Sequence, residues 1–235
     1  GPLVGRLEGV VELLVGGREQ LVGHRLDVDA RHPRRRDPRQ PGDLLQVGAK
    51  RPVGAGVLHL DRDLAPVVRR HVPVIGLEPS CTAVLRGDAA ELLPGDEDAA
   101  LVARSTSTLA EFLAGDDRWA APDLSGVDVV AQPHCHHHGV MGWSPDAALL
   151  RDAGANLQQL GGCCGLAGNF GVEQGHYEVS VKVAEQQLLP AMDAKPDAAL
   201  LADGFSCRTQ IADLTERRGI HLAQLLDDAQ GGQGV

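Results

Sequence analysis

The order of apolar and polar positions changes character along the chain. From residue 119 onward, short apolar runs alternate with longer stretches of helical periodicity. Runs at 127–131 (VDVVA), 157–160 (LQQL) and 198–202 (AALLA) have the length and apolar content of strands buried in a sheet, the second being the weakest. Between the first two, Ser144-Pro145-Asp146 predicts an N-cap followed by proline at the first helical position, and Gly154 the end of that helix. Residues 175–194 place Val179, Val183, Ala184, Leu188 and Met192 at helical spacing, and Pro190 is expected to kink or end the helix. Helices are predicted at 207–218, closed by Gly219, and at 221–229. Strand followed by helix, repeated, predicts an α/β fold: a parallel sheet with helices on both faces.

Before residue 119 the pattern is less regular. Residues 72–77 form a short apolar run suited to a buried strand, and 64–71 suit a helix if Pro66 lies in its first turn. Helices are predicted at 83–93 and 99–113, interrupted by Pro94 and Gly95. Residues 31–41 (RHPRRRDPRQP) lack apolar periodicity and read as loop or disorder. Residues 74–82 (VIGLEPSCT) align with 200–208 (LLADGFSCR), putting strand, turn, Ser-Cys and following helix in register. Two halves built on one plan are implied.

Composition sharpens the division. The chain has 235 residues, 43% of them hydrophobic, enough for one full core but not for two large domains. Residues 1–74 contain no Ser, Thr, Asn, Ile, Phe, Tyr, Trp, Cys or Met, whereas 75–235 use all nine. Ten of the eleven types in the first part are encoded by codons beginning with G or C, Lys50 being the exception. Residues 1–58 are therefore read as an anomalous segment: non-native translation of a GC-rich gene, or a biased, disordered low-complexity extension. Charge divides at the same place. Residues 1–74 carry 13 basic and 9 acidic side chains (+4), and 75–235 carry 9 and 23 (−14).

A net charge of −10 argues against a nucleic-acid binder that works by phosphate neutralisation. With no apolar stretch near the roughly 18 residues of a membrane span and no signal-peptide pattern, the expected location is the cytoplasm, at most peripheral to the inner face of the membrane. Five cysteines in that setting are not expected to pair as structural disulfides.

Their positions carry the candidate chemistry. Cys135, Cys163 with Cys164, and Cys207 each lie just past the carboxyl end of a predicted strand, the edge where α/β sheets bind ligands. Each also lies near a helix start, where free amides favour thiolate. Four thiolates at one edge suit an iron–sulfur cluster or zinc. Glycines around the pair, notably Gly165 and Gly168, let backbone approach a bulky cofactor and offer amides to sulfur. Other readings are small buried residues in a glycine turn, and a metal-free thiol-redox pair. His134, His136, His137 and His138 flank Cys135 as further ligands, proton donors or orienting groups. His176 and Glu173 suit surface or capping roles.

The strings 134–143 (HCHHHGVMGW), 162–171 (GCCGLAGNFG), 175–180 (GHYEVS) and 202–211 (ADGFSCRTQI) resemble the cysteine-rich CCG domain. That domain occurs in the cysteine-rich subunit of heterodisulfide reductase and in the iron–sulfur subunit of glycolate oxidase. The chain is most similar to the C-terminal part of FAD-linked dehydrogenases of D-2-hydroxy acids such as D-lactate or D-2-hydroxyglutarate. The resemblance runs from about residue 64 to 226. It implies a partial first CCG repeat at 59–118, an intact second CCG domain at 119–229 and a disordered tail at 230–235.

It further implies that Cys135, Cys163, Cys164 and Cys207 hold a 4Fe-4S type cluster, and that Cys81 matches the last cysteine of the first repeat. His134 and His136 are lesser candidates. The family motif ends in CxxC, but its earlier position is Gly204 here and Glu78 in the first repeat. The implied function is electron transfer within an oxidoreductase that oxidises a D-2-hydroxy acid (D-lactate, glycolate or D-2-hydroxyglutarate type). The implied partners are an FAD-containing dehydrogenase domain or subunit and a ferredoxin-like iron–sulfur domain, and the chain is not expected to turn over alone. The rival expectations are a zinc-binding structural or docking module and a truncated, non-functional fragment.

Overall fold

The structure is a computed structural model in which residues 63–231 are described. The anomalous segment 1–58, the basic run 31–41, the first residues of the expected partial repeat and the tail after 231 lie outside the described residues.

Two small parallel sheets organise the fold. The first unit opens with a helical stretch, α1 (residues 63–68), then β1 (Val74–Gly76) and α2 (Pro79–Ala83). α2 runs through a wide π turn (Val84–Asp88) into a last turn at Ala89–Leu92. α3 (Glu97–Ser105) leads into β2 (Thr106–Thr108), which pairs in parallel with β1, and α4 (Leu109–Ala114) follows.

The expected helix at 99–113 is thus two helices with a strand between them. Ser105-Thr-Ser-Thr108 explains the break, because hydroxyl side chains compete for backbone hydrogen bonds. Thr106 bonds back to the Val102 carbonyl at 2.8 Å, while Thr108 caps α4 reciprocally with Glu111.

The second unit contains β3 (Asp128–Ala131), α5 (Ser144–Asp152), β4 (Asn156–Gln159), α6 (Tyr177–Ala184), α7 (Leu188–Ala194), β5 (Ala199–Leu201), α8 (Phe205–Leu214) and α9 (Leu222–Gln230). Its strands lie in the order β4-β3-β5, all parallel, with Val129 opposite Leu157 on one side and Ala199 on the other.

Alternation along the central strand decides which helices cover which face. Val129 and Ala131 pack with Leu149 and Leu150 of α5 and Leu222, Leu225 and Leu226 of α9. Val130 packs on the opposite side with Ala184 of α6, Leu188 and Met192 of α7 and Ile211 of α8. With both faces covered, the strands read as short apolar runs rather than as polar-apolar alternation.

Three boundaries differ from the pattern reading. The single helix expected at 175–194 is α6 and α7, broken at 185–187. Pro190 lies in the first turn of α7, where its missing N–H has no intrahelical partner to lose. α8 ends at Leu214, not before Gly219, because Thr215 adopts an extended backbone and its hydroxyl bonds the Ile211 carbonyl at 2.7 Å. Ser144 is the first residue of α5, one position inside the expected cap, and Trp143 stands at the cap.

Candidate metal centre

Because β4, β3 and β5 are parallel neighbours, the segments that follow them leave one sheet edge. Cys135 follows β3 at the start of a helical turn (135–141), Cys163 and Cys164 lie in the loop after β4, and Cys207 is the third residue of α8 after β5.

The four thiols meet in series. Cys135 Sγ lies 3.5 Å from Cys163 Sγ, Cys163 contacts Cys164, and Cys164 contacts Cys207. The series runs inward from exposed Cys135, through half-buried Cys163, to buried Cys164 and Cys207. All five cysteines are free. A tetrahedral zinc with bonds of about 2.3 Å would require its sulfurs to sit roughly 3.8 Å apart all round. The 3.5 Å between Cys135 and Cys163 Sγ is close to that value.

Cys135, Cys163 and Cys164 do not show the thiolate character expected of helix starts. Burial and then the Cys163 neighbour push Cys135 up to about 11. Cys164 also rises to about 11: its contact with Cys163 acts downward, but the contact with Cys207 and burial outweigh it. Cys163 is raised, first by Cys164 and then by burial. Metal binding at these three thiols would have to displace protons.

Three glutamines hold the cysteine loop. Gln187 accepts from the amides of Gly161 and Gly162 at 2.9 and 3.0 Å. Gln132 donates to the Gly162 carbonyl at 2.7 Å. Buried Gln210 donates to Ser180 Oγ at 2.9 Å, tying α8 to α6 beneath the loop. Sequence reasoning missed all three, since glutamines so far apart along the chain carry no spacing signal.

The two candidate glycines differ. Gly165 has φ +99°, and a Cβ there would fall 2.1 Å from the Ser180 carbonyl oxygen. Its missing side chain admits α6, while its amide donates to Cys163 Sγ at 3.4 Å. Gly168 also has positive φ, +68°, but a Cβ there would meet open space.

The remaining candidates are placed as follows. Cys81 is exposed and its thiol rests on Glu78. Burial and then Glu78 raise it.

Glu78 caps two helices. Its carboxylate accepts from the amides of Ser80 and Cys81 in α2, and from the Phe205 amide that begins α8, at 3.2 Å. Burial opposes the charge, but the hydrogen bonds from Ser80, Cys81 and Phe205 hold Glu78 below the usual glutamate range.

His134 is buried, with both nitrogens engaged. Nδ1 accepts from the His136 amide at 3.3 Å, so Nε2 carries the proton and donates to Ser206 Oγ at 3.2 Å. Burial holds its pKa low. Its ring also fills the space a side chain at position 204 would need: a Cβ on Gly204 would lie 2.2 Å from the ring. A cysteine does not fit there without displacing the ring.

His136 is exposed beside His134, with ring centroids 5.3 Å apart, and His138 is exposed. His137 turns inward to Asp146. His176 stacks on Phe170 at 4.2 Å and lies near exposed Glu173.

No protein-family model matches the chain. Among curated proteins, it is 31% identical over 156 residues to a D-2-hydroxyglutarate dehydrogenase of Pseudomonas putida, covering 64% of this chain and 14% of that protein. It is 30% identical over 144 residues to the Escherichia coli protein of the same name, covering 60% and 14%. The Pantoea ananatis protein of that name is 37% identical over 65 residues, covering 27% and 6%. The chain thus spans 14% of the length of the relatives it matches most extensively. Relationship to the D-2-hydroxyglutarate dehydrogenases, over about 60% of this chain, is what these matches establish.

Proposed function

We propose that the chain is the electron-transfer part of a larger FAD-linked dehydrogenase acting on a D-2-hydroxy acid, with Cys135, Cys163, Cys164 and Cys207 holding an iron–sulfur cluster. The observation that carries this reading is the convergence of four thiols, from three chain segments, in contact series at one sheet edge. The donor chemistry fits: four soft sulfur ligands, the set that suits an iron–sulfur cluster or zinc, with a glycine amide aimed at one sulfur.

Within this reading, residues 59–118 are the later half of one CCG repeat and 119–229 a whole one. A cluster held there would accept and pass on single electrons, while the flavin on a partner domain or subunit would take the hydride from the substrate. The chain's own residues supply the setting. Gln132, Gln187 and Gln210 fix the loop, the Gly165 amide contributes positive charge near Cys163, and burial of Cys164 and Cys207 keeps water from the inner sulfurs. A ferredoxin-like domain is the expected electron partner. Among the described residues no helix is long and apolar enough to cross a membrane.

Anaerobic purification followed by iron, acid-labile sulfide and zinc analysis tests this. Equal iron and sulfide, lost in Cys135→Ser, is the expected result. Zinc without sulfide would favour the docking-module reading, and no stoichiometric metal at the thiols would favour a non-functional fragment.

A further inference from the structure

A second group of ligand-type side chains lies away from the thiols. His137 enters from the turn after β3, Asp146 from the first turn of α5 and Asp203 from the segment after β5. They are 3%, 2% and 8% exposed, and their ligand atoms all lie within 4.8 Å of one another.

The contacts inside the group are not those of a finished hydrogen-bond network. His137 Nε2 pairs with Asp146 Oδ2 at 3.2 Å, an ion-pair contact without good hydrogen-bond direction, and His137 Nδ1 is buried with no hydrogen-bond partner at all. Buried polar atoms left this way are unfavourable and call for an explanation. Two ligands that share one ion at about 2.1 Å stand roughly 3.3 Å apart with lone pairs converging on the ion, not facing each other. The observed separation matches that spacing.

The surroundings agree. The three residues line a cavity of about 10 Å³, bounded also by Thr82, Thr108 and Met141, which is about the volume one water or ion requires. His221, 3.6 Å from Asp203, is not a fourth ligand: its Nδ1 accepts from the Ala223 amide, and its Nε2 is engaged with the Leu77 carbonyl at 2.8 Å. The Leu222 amide donates to Asp203 Oδ1 at 2.8 Å, orienting the carboxylate as outer-shell partners of metal ligands do.

We propose that His137, Asp146 and Asp203 bind one divalent cation of the Zn²⁺ or Mn²⁺ class, at a site separate from the thiols and independent of what the thiols hold. One neutral imidazole and two carboxylates match a 2+ charge, and oxygen-rich donors with one imidazole suit these ions. The bound ion would cross-link the turn carrying Cys135, the start of α5 and the segment leading to Cys207.

Mn²⁺ is the discriminating probe, because it prefers oxygen and imidazole donors over thiolates. The full chain is titrated with Mn²⁺, loss of the free-ion EPR signal is followed, and melting is recorded with and without the ion. The expected result is one Mn²⁺ per chain and a raised Tm. Asp146→Asn and His137→Gln, near-isosteric changes, should weaken binding at least tenfold and abolish the Tm rise, while Cys135→Ser should bind Mn²⁺ as the unaltered chain does. Absence of uptake by the folded unaltered chain at millimolar Mn²⁺ would overturn the proposal. So would full binding by folded Asp146→Asn, or loss of binding in Cys135→Ser, which would place the ion at the thiols. If an aspartate or histidine variant does not fold, the unaltered chain and Cys135→Ser still decide.

Discussion

Two glycines in one loop separate two physical demands that a sequence motif runs together. Both have positive φ, but only Gly165 has a backbone oxygen where its side chain would be. Alanine at Gly168 should cost about 1 kcal/mol, the usual charge for a left-handed β-carbon. Alanine at Gly165 must in addition push α6 away from the loop, and should cost roughly 2–4 kcal/mol in urea denaturation. It should also reduce metal content at the thiols, because the Gly165 amide and Cys163 move together. Equal losses at the two positions would mean that Ser180 yields freely. The same accounting applies at position 204, where the His134 ring occupies the space a side chain would need. Gly204→Cys is therefore expected to displace His134 and break its hydrogen bond to Ser206.

At the scale of the element, α4 shows how much a few polar residues decide. Glu111 bonds the Thr108 amide at 2.8 Å and pairs with Arg86 at 2.6 Å, joining α4 to the π turn that follows α2. Burial opposes its charge, but the Arg86 and Thr108 hydrogen bonds prevail and hold it below the ordinary glutamate value of 4.5. A carboxylate with a lowered folded-state pKa contributes stability that is complete above its unfolded pKa and lost as pH falls through the folded one. Glu111→Gln should therefore cost about 1 kcal/mol near neutrality, with the gap from the unaltered chain closing as pH drops below 4.5. A gap independent of pH in urea titrations would remove the charge from the explanation.

The same element shows what was legible in the sequence. β1, β3, β4 and β5 were readable as apolar runs, and the cysteines as residues following strands. β2 was not, because three hydroxyl residues between two apolar helical faces mimic a continuing helix, although Thr108-x-x-Glu111 was a capping signal in plain view. Of the site, the four thiols were legible by their place after strands. Asp146 and Asp203 were hidden because each has a sufficient local role, one near a helix start and the other in a turn. Only the parallel order β4-β3-β5 brings them against His137.

At the scale of the molecule, the question is whether the two sheets fold as one body. A two-stranded sheet with a small core of Leu64, Ala65, Val68, Val74, Leu85 and Val102 is too little to stand alone. Ile75, Leu109, Ala110 and Leu113 of the first unit instead complete the cluster that covers Val129, Ala131 and Trp143 of the second. Two polar ties cross the same boundary, from the Phe205 amide to Glu78 and from His221 to the Leu77 carbonyl.

If this shared core sets the cooperativity, damage deep in the first unit must be felt in the second. Val102 is fully buried in the first unit's own cluster, so Val102→Ala should cost about 2 kcal/mol, two lost methyl groups plus a residual cavity. In a Trp119→Phe background, Trp143 is the remaining tryptophan and reports from the second unit's side of the shared core. Its fluorescence transition should then fall by roughly 4–8 °C together with the far-UV circular dichroism, as a domain of this size loses about 2–4 °C per kcal/mol. Should the Trp143 midpoint stay in place while part of the ellipticity melts early, the units would be thermodynamically separate. The buried Ile75 and Leu109 would then be contacts between domains and not a common core.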